Sequence, residues 1–247
     1  MKNKLSSSAL IAGALALTAS APIALAGDTD TLFRIEAFDN ATNTLSVFEV
    51  TFGDGVQQGN SWVWEWDGGN YMFGADESLG GFTAAAIQVD FDSRGFVSTV
   101  NLGFDVFAGA ANTSFSIGSG PLNFAPINAG VQGIASASVG VTDVLGGGAT
   151  LSPDGPGMYR AFTNGANTFT TLLGSSLSAA EFSSNQADDS FGLAAIAGSI
   201  DEIASEWNFT LTAFDSAAGT STFSVTPAPG ALSMIGLAGL VAARRRR

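Results

Sequence analysis

Short runs of alternating apolar and polar residues fill the middle of this chain, and they constrain its fold more than any other feature. In the clearest run, residues 96–107, one face is apolar: Phe96, Val100, Leu102, Phe104 and Val106. The opposite face is polar and carries Thr99, Asn101 and Asp105. Alternation with a period of two indicates a β-strand that buries one face.

A second run, Thr83–Phe91, repeats the pattern just before the first. Its apolar face carries Ile87, Val89 and Phe91. The residues between the two runs, Asp92-Ser93-Arg94-Gly95, have the composition of a turn. The pair therefore predicts an antiparallel hairpin with a four-residue loop.

Further strand candidates follow along residues 27–225, and turn residues separate them. They are Leu32–Phe38, Leu45–Phe52, Trp62–Trp66, Asn70–Phe73, Ser114–Ile117, Val131–Val141, Thr168–Leu173, Phe191–Ile200, Trp207–Phe214 and Thr222–Val225. Strands with one hydrophobic face each favour two stacked antiparallel sheets. We therefore predict one all-β domain over residues 27–225, an antiparallel, jelly-roll-like β-sandwich.

Two segments interrupt the strand pattern. Ser178-Ala179-Ala180-Glu181 has the spacing of a capping box, which predicts one short helix to about Ser184. The glycine- and proline-rich stretch 146–157 is typical of a long exposed loop.

Composition and charge exclude several classes of function. The chain contains no histidine and no cysteine, so disulfides, thiolate zinc sites, thiol nucleophiles and Ser–His pairs are excluded. Between the two ends, three basic residues (Arg34, Arg94 and Arg160) stand against all 22 acidic ones, a net charge of −19. A surface this acidic repels phosphate backbones, so we expect no nucleic-acid partner.

The N-terminus has the three parts of a secretory signal peptide over residues 1–26. Lys2 and Lys4 are followed by the apolar stretch 9–17 and then by Ala24-Leu25-Ala26. The small residues Ala24 and Ala26 fit a signal-peptidase site, which predicts a mature chain beginning at Gly27. The apolar stretch is shorter than the roughly 20 residues that a membrane-spanning helix needs.

The C-terminal segment, residues 226–247, has a different pattern. Thr226-Pro227-Ala228-Pro229 precedes the uncharged stretch 230–243, and Arg244, Arg245, Arg246 and Arg247 end the sequence. As a helix the uncharged stretch would span roughly 21 Å, short of the roughly 30 Å hydrocarbon core. The arginines would stay in the cytoplasm, which makes the segment a short apolar helix in transient or retained membrane contact.

This tail resembles the PEP-CTERM sorting signal, with Pro227-Ala228-Pro229 in place of its Pro-Glu-Pro motif, an apolar helix and a terminal arginine cluster. The resemblance implies recognition by an exosortase, a membrane transpeptidase-like enzyme of Gram-negative bacteria that make exopolysaccharide. It thus implies export to the cell surface or the extracellular matrix, with exopolysaccharide as a candidate partner. An ordinary tail anchor that is retained uncleaved is the alternative.

The indoles of Trp62, Trp64 and Trp66 alternate along one predicted strand, so all three project from one face. Glu65 and Asp67 share the opposite face with Val63. A flat row of indoles is the kind of surface that stacks on sugar rings. The same row would also suit the interior of the sandwich, and we expect at least one of these indoles to be buried.

Acidic pairs are the candidate metal ligands. Asp28/Asp30, Asp90/Asp92, Asp188/Asp189 and Asp201/Glu202 carry the oxygen atoms that calcium prefers, or form a solvated surface. We predict no other cofactor. A glycosidase would need two facing carboxylates, and no pair is singled out by the sequence.

These patterns together predict an exported, non-enzymatic β-sandwich protein of the cell surface or matrix. Glycan contact through the indoles is a secondary hypothesis. The alternatives are a secreted carbohydrate-active enzyme that uses acidic residues and a calcium-dependent adhesin.

Overall fold

The computed structural model describes residues 31–74, 79–92, 97–127, 130–165 and 167–227. These residues form 17 strands and one 3-10 turn, Phe52–Asp54. The strands are β1 (Thr31–Asp39), β2 (Thr44–Thr51), β3 (Val56–Gln58), β4 (Ser61–Glu65), β5 (Tyr71–Met72), β6 (Gly81–Phe91), β7 (Val97–Phe107), β8 (Thr113–Ser119), β9 (Leu122–Ile127), β10 (Val131–Thr142), β11 (Ala149–Pro153), β12 (Tyr159–Thr163), β13 (Asn167–Leu172), β14 (Leu177–Ala179), β15 (Ser184–Ile196), β16 (Ile200–Leu211) and β17 (Ser216–Pro227).

The strands form two antiparallel sheets. Sheet I has nine strands, with the order β13-β12-β16-β8-β1-β2 and with β9, β11 and β14 alongside. Sheet II has eight, with the order β15-β10-β17-β7-β6-β4-β3 and with β5 against β6. The predicted all-β antiparallel sandwich is confirmed.

The predicted signal peptide, 1–26, and residues 228–247 of the predicted C-terminal segment 226–247 lie outside the described residues. Within the ranges that are described, no helix has the length and hydropathy that crossing a lipid bilayer requires.

The core lies between the two sheets because each long strand alternates. In β16, Ile203, Trp207 and Phe209 face inward with no exposed surface. The ring of Phe104, on sheet II, lies 5.3 Å from the Trp207 indole of sheet I. Aromatic side chains thus interlock across the interior, where each buries a large apolar area.

A small polar network sits inside this core. The Tyr159 hydroxyl pairs with Ser205 Oγ at 2.9 Å, and Trp207 Nε1 donates to Ser221 Oγ at 3.0 Å. Burial raises the pKa of Tyr159 to about 12, so its hydroxyl keeps its proton. The network satisfies its polar groups and fixes the packing of β12, β16 and β17.

The predicted hairpin is confirmed as β6 and β7. Ile87 lies opposite Leu102, and Val89 lies opposite Val100. All four side chains are buried, and the polar residues of both strands face outward. The turn residues 93–96 are outside the described residues.

The predicted helix at Ser178 is wrong. Leu177–Ala179 is strand β14, which pairs with β11. Leu177 and Ala179 are buried and Ser178 is exposed. This period of two fits pairing with a neighbouring strand, which outweighs a local capping signal.

Two further boundaries differ from the prediction. The expected loop 146–157 contains strand β11, whose Leu151 is fully buried. The expected single strand Phe191–Ile200 is divided between β15 and β16 by a turn with Gly198 at φ +83°. Glycine adopts this left-handed conformation without the strain that a side chain adds.

Candidate functional site

The three indoles lie on one face of the chain at β4, as predicted, and this face points between the sheets. Trp62 is buried at 4% exposure, whereas Trp64 and Trp66 are half-buried against the core. Glu65 and Asp67, on the other face, are exposed.

Trp62 is enclosed by the chain just before it. Its Nε1 donates to the Phe52 carbonyl at 3.1 Å, and its ring meets the Phe52 ring edge-on at 5.4 Å. A Cβ atom at Gly55 would lie 1.8 Å from Trp62 Cζ2, so glycine is required there. This indole is therefore a core side chain.

Trp64 and Trp66 pack on other aromatic rings. The Trp64 ring lies 5.7 Å from Phe33 and 5.8 Å from Phe48 of sheet I. The Trp66 ring lies 5.4 Å from Phe82, and its Nε1 donates to the Gly69 carbonyl. The row thus closes the sandwich between β2 and β4, and a glycan contact at its half-buried members stays a prediction.

A second surface, which sequence reasoning missed, crosses the outer face of sheet I. Strand register places five residues side by side on one rung: Glu49, Arg34, Gly118, Glu206 and Arg160. They come from β2, β1, β8, β16 and β12, so the rung is about 19 Å wide at the usual strand spacing. We call this surface the charged groove.

Ion pairs link neighbouring strands of the charged groove. Arg34 pairs with Glu36 on its own strand and contacts Glu49 at 3.5 Å. Arg160 donates to Glu206 at 2.9 Å. Each of these five charged residues keeps part of its side chain in solvent, so the net contribution of the ion pairs to stability is small.

Gly118 leaves a gap in the middle of the charged rung. A Cβ atom there would lie 2.9 Å from the Ser205 carbonyl oxygen, closer than side chains approach. The bare floor opens a cavity of about 570 Å³, which also takes in Phe162, Ala204 and the β8–β9 turn. This volume falls within the range of small-ligand pockets.

One feature of the sequence, the small number of basic residues between its two ends, is related to the charged groove. Residues 27–225 contain three basic side chains, and Arg34 and Arg160 share this rung. The two arginines are far apart in the sequence, and only the register of three strand pairs places them on the same rung.

One acidic residue of each described pair accepts a hydrogen bond from the backbone or from a neighbouring side chain. Asp90 accepts from Ser61 at 2.6 Å, Asp189 accepts from the Leu173 N–H, and Glu202 accepts from the Gly165 N–H. Asp28 and Asp30 lie outside the described residues. In the part of the chain that the structure describes, no three acidic residues converge on a metal position.

Two other carboxyl groups meet in the loops at one end of the sandwich. Asp143 and Asp215 are 5% and 3% exposed. Burial raises the pKa of the Asp215 carboxyl, and the negative charge of Asp143 adds to the rise. Hydrogen bonds from the Thr212 hydroxyl and the Val144 N–H act in the opposite direction without cancelling it.

Replacing Asp215 by asparagine should therefore stabilise the protein at neutral pH. A carboxyl whose pKa is higher in the folded protein than in the unfolded chain favours folding when the pH is below its unfolded pKa. This contribution is lost as the pH rises through the pKa that the group has in the folded protein. We expect Asp215→Asn to raise Tm at pH 7, because the neutral amide removes the cost of burying a charged carboxylate. The gain should vanish below pH 3.8, the ordinary pKa of aspartate. Calorimetry across pH 3–8 checks this, and a lower Tm for the variant at pH 7 would contradict it.

Comparison with known proteins assigns this chain to no family. No family model and no curated protein matches this sequence. Among solved structures, the glycoside hydrolase domain of Endo-D from Streptococcus pneumoniae R6 is 10% identical, with a TM-score of 0.22 over 66% of this chain and 21% of its own. The structure of infectious bursal disease virus, Gx strain, is 13% identical, with a TM-score of 0.24 over 80% of this chain and 56% of its own.

A third solved structure is the isomalto-dextranase of Arthrobacter globiformis T6 in complex with panose. It is 12% identical, with a TM-score of 0.20 over 77% of this chain and 33% of its own. This chain thus spans only part of the length of each protein that it matches. At these scores the likeness assigns no function.

Proposed function

We propose that this protein is exported, sorted by its C-terminal tail to the cell surface or the extracellular matrix, and contacts exopolysaccharide there without catalysing a reaction. The observation that carries the proposal is the sequence of the tail. The Pro-Ala-Pro motif, the uncharged stretch 230–243 and four arginines follow one another in the order of a sorting signal. The motif begins at Pro227, the last described residue of β17 in sheet II.

A binding role fits the arrangement of the acidic residues better than catalysis. A glycosidase needs a carboxylic acid with a raised pKa facing a second carboxylate across a cleft. Asp215 has a raised pKa, but it is 3% exposed and bonded to Thr212 in a loop. In the charged groove, Glu206 is paired with Arg160 and Glu36 with Arg34. The oxygen atoms of a carboxylate that is paired with arginine can also accept hydrogen bonds from ligand hydroxyls.

Fractionation of the bacterium that makes the protein tests this proposal. The full chain should be recovered with the cell surface or the matrix, and a chain that ends at Pro227 should move to another fraction. A variant with Arg244–Arg247 changed to alanine keeps the length of the tail and should also be mislocalised. N-terminal sequencing, with Gly27 expected first, controls for export. Identical distribution of all three forms would refute sorting by the tail.

A further inference from the structure

The charged groove presents hydrogen-bond donors and acceptors on opposite sides of a gap. Arg34 on β1 and Glu206 on β16 flank Gly118 on β8. Two strand spacings separate their backbones, which is about 10 Å. Because Gly118 adds no side chain to the floor, a ring-sized group fits between them.

The side chains on the two sides of the gap, Arg34 and Glu206, can each form further hydrogen bonds. Arg34 has five N–H donors in a planar fork, and its contacts with Glu36 and Glu49 engage only two of its nitrogen atoms. Glu206 Oε2 accepts from Arg160, while Oε1 receives only a long contact of 3.4 Å from Ser116. A hydroxyl group both donates and accepts. Hydroxyl groups on opposite sides of one ligand therefore suit Arg34 on one side and Glu206 on the other.

An apolar surface adjoins these polar walls. Phe162 lies opposite Ala204 on the next rung, and both line the same cavity. The Arg160 guanidinium sits 5.3 Å from the centre of the Phe162 ring. Aromatic area beside paired polar groups is a pattern that binds sugar rings.

The charge balance of the groove selects the class of ligand. Four glutamates line or flank it, Glu36, Glu49, Glu202 and Glu206, against the two arginines. The excess of negative charge disfavours uronates, sulfates and phosphates. A cation would need only acceptors and would be repelled by both arginines. A neutral ligand rich in hydroxyls uses the donors and the acceptors together.

We infer that the charged groove binds a segment of neutral polysaccharide, with Arg34 and Glu206 as its principal hydrogen-bonding residues and Phe162 as its apolar contact. This inference rests on the proposed function, and it places exopolysaccharide binding on sheet I rather than on the indole row.

Affinity electrophoresis tests the inference. Exopolysaccharide from the producing bacterium is separated by anion exchange into a neutral and an acidic fraction, and each is cast into native gels. The neutral fraction should retard the exported protein more than the acidic one. Arg34→Ala and Glu206→Gln should each weaken that retardation about tenfold or more, since each removes a charge-assisted hydrogen bond. Glu65→Gln, an exposed glutamate on sheet II, is the matched control and should bind normally.

The outcomes separate the groove from the wider proposal. Equal retardation of the parent protein and both groove variants would overturn the groove as the site and leave polysaccharide binding standing. Preferential retardation by the acidic fraction would overturn the neutral ligand. Retardation by neither fraction would overturn the groove and the polysaccharide contact together, while sorting by the tail would stand on its own test. Melting temperatures of the variants, expected near that of the parent, show whether a lost interaction reflects lost folding.

Discussion

Replacing Trp62 by alanine should lower the free energy of unfolding by about 3–5 kcal/mol, the usual cost of removing a large aromatic side chain from a core. Trp62 is 4% exposed, and its ring closes against Phe52 and Gly55. Trp62→Phe keeps an aromatic ring but leaves the Phe52 carbonyl without its donor, so it should cost about 1–3 kcal/mol. Urea unfolding measures both values.

Val63, the next residue, provides the matched control. Its side chain points to the opposite face of β4 and is half-buried. Val63→Ala should change stability by about 1 kcal/mol or less. If Trp62→Ala fell in that range as well, Trp62 would not be a core residue, and the indole row would regain its place as a surface platform.

Truncation at two nearby positions should give opposite results. A chain that ends at Pro227 should melt within about 2 °C of the full-length protein. Pro227 and Pro229 lack the N–H groups that strand pairing uses, so we expect the tail to contribute little to the sandwich. A chain that ends at Asp215 lacks β17, which lies between β10 and β7 in sheet II. Its loss removes the ladders on both sides and the buried side chains of Phe223 and Val225. We expect no cooperative unfolding transition for the shorter chain.

Circular dichroism during heating distinguishes the two truncated chains. A native-like transition in the chain that ends at Asp215 would show that β17 is dispensable. A large drop in Tm for the chain that ends at Pro227 would show that residues 228–247 stabilise the sandwich, and the tail would then be more than an address.

Alternation predicted the parts of the fold in which long strands bury one face. The β6–β7 hairpin is the clearest case, since Ile87 and Val89 meet Leu102 and Val100 as the pattern requires. The short strands β11 and β14 escaped prediction because three to five residues carry too little periodicity. Leu151 in β11 and Leu177 in β14 pair with each other, and that long-range pairing turned a predicted loop and a predicted helix into strands.

The two candidate sites also differ in how far the sequence could predict them. The indole row is local in the sequence, so its common face was predictable, whereas the burial of Trp62 depends on Phe52 and Gly55 folding over it. The residues of the charged groove are far apart in the sequence. Arg34 and Glu206 become neighbours across Gly118 only through the pairing of β1 with β8 and of β8 with β16.

Hydrogen exchange with and without the neutral exopolysaccharide fraction tests the location of binding most directly. A ligand that binds only the folded protein slows local opening where it makes contact. We predict slower exchange in peptides that contain Arg34, Gly118 and Glu206, with no change in peptides that cover residues 61–66. Protection confined to residues 61–66, with the groove peptides unchanged, would contradict the account and return the glycan contact to the indoles.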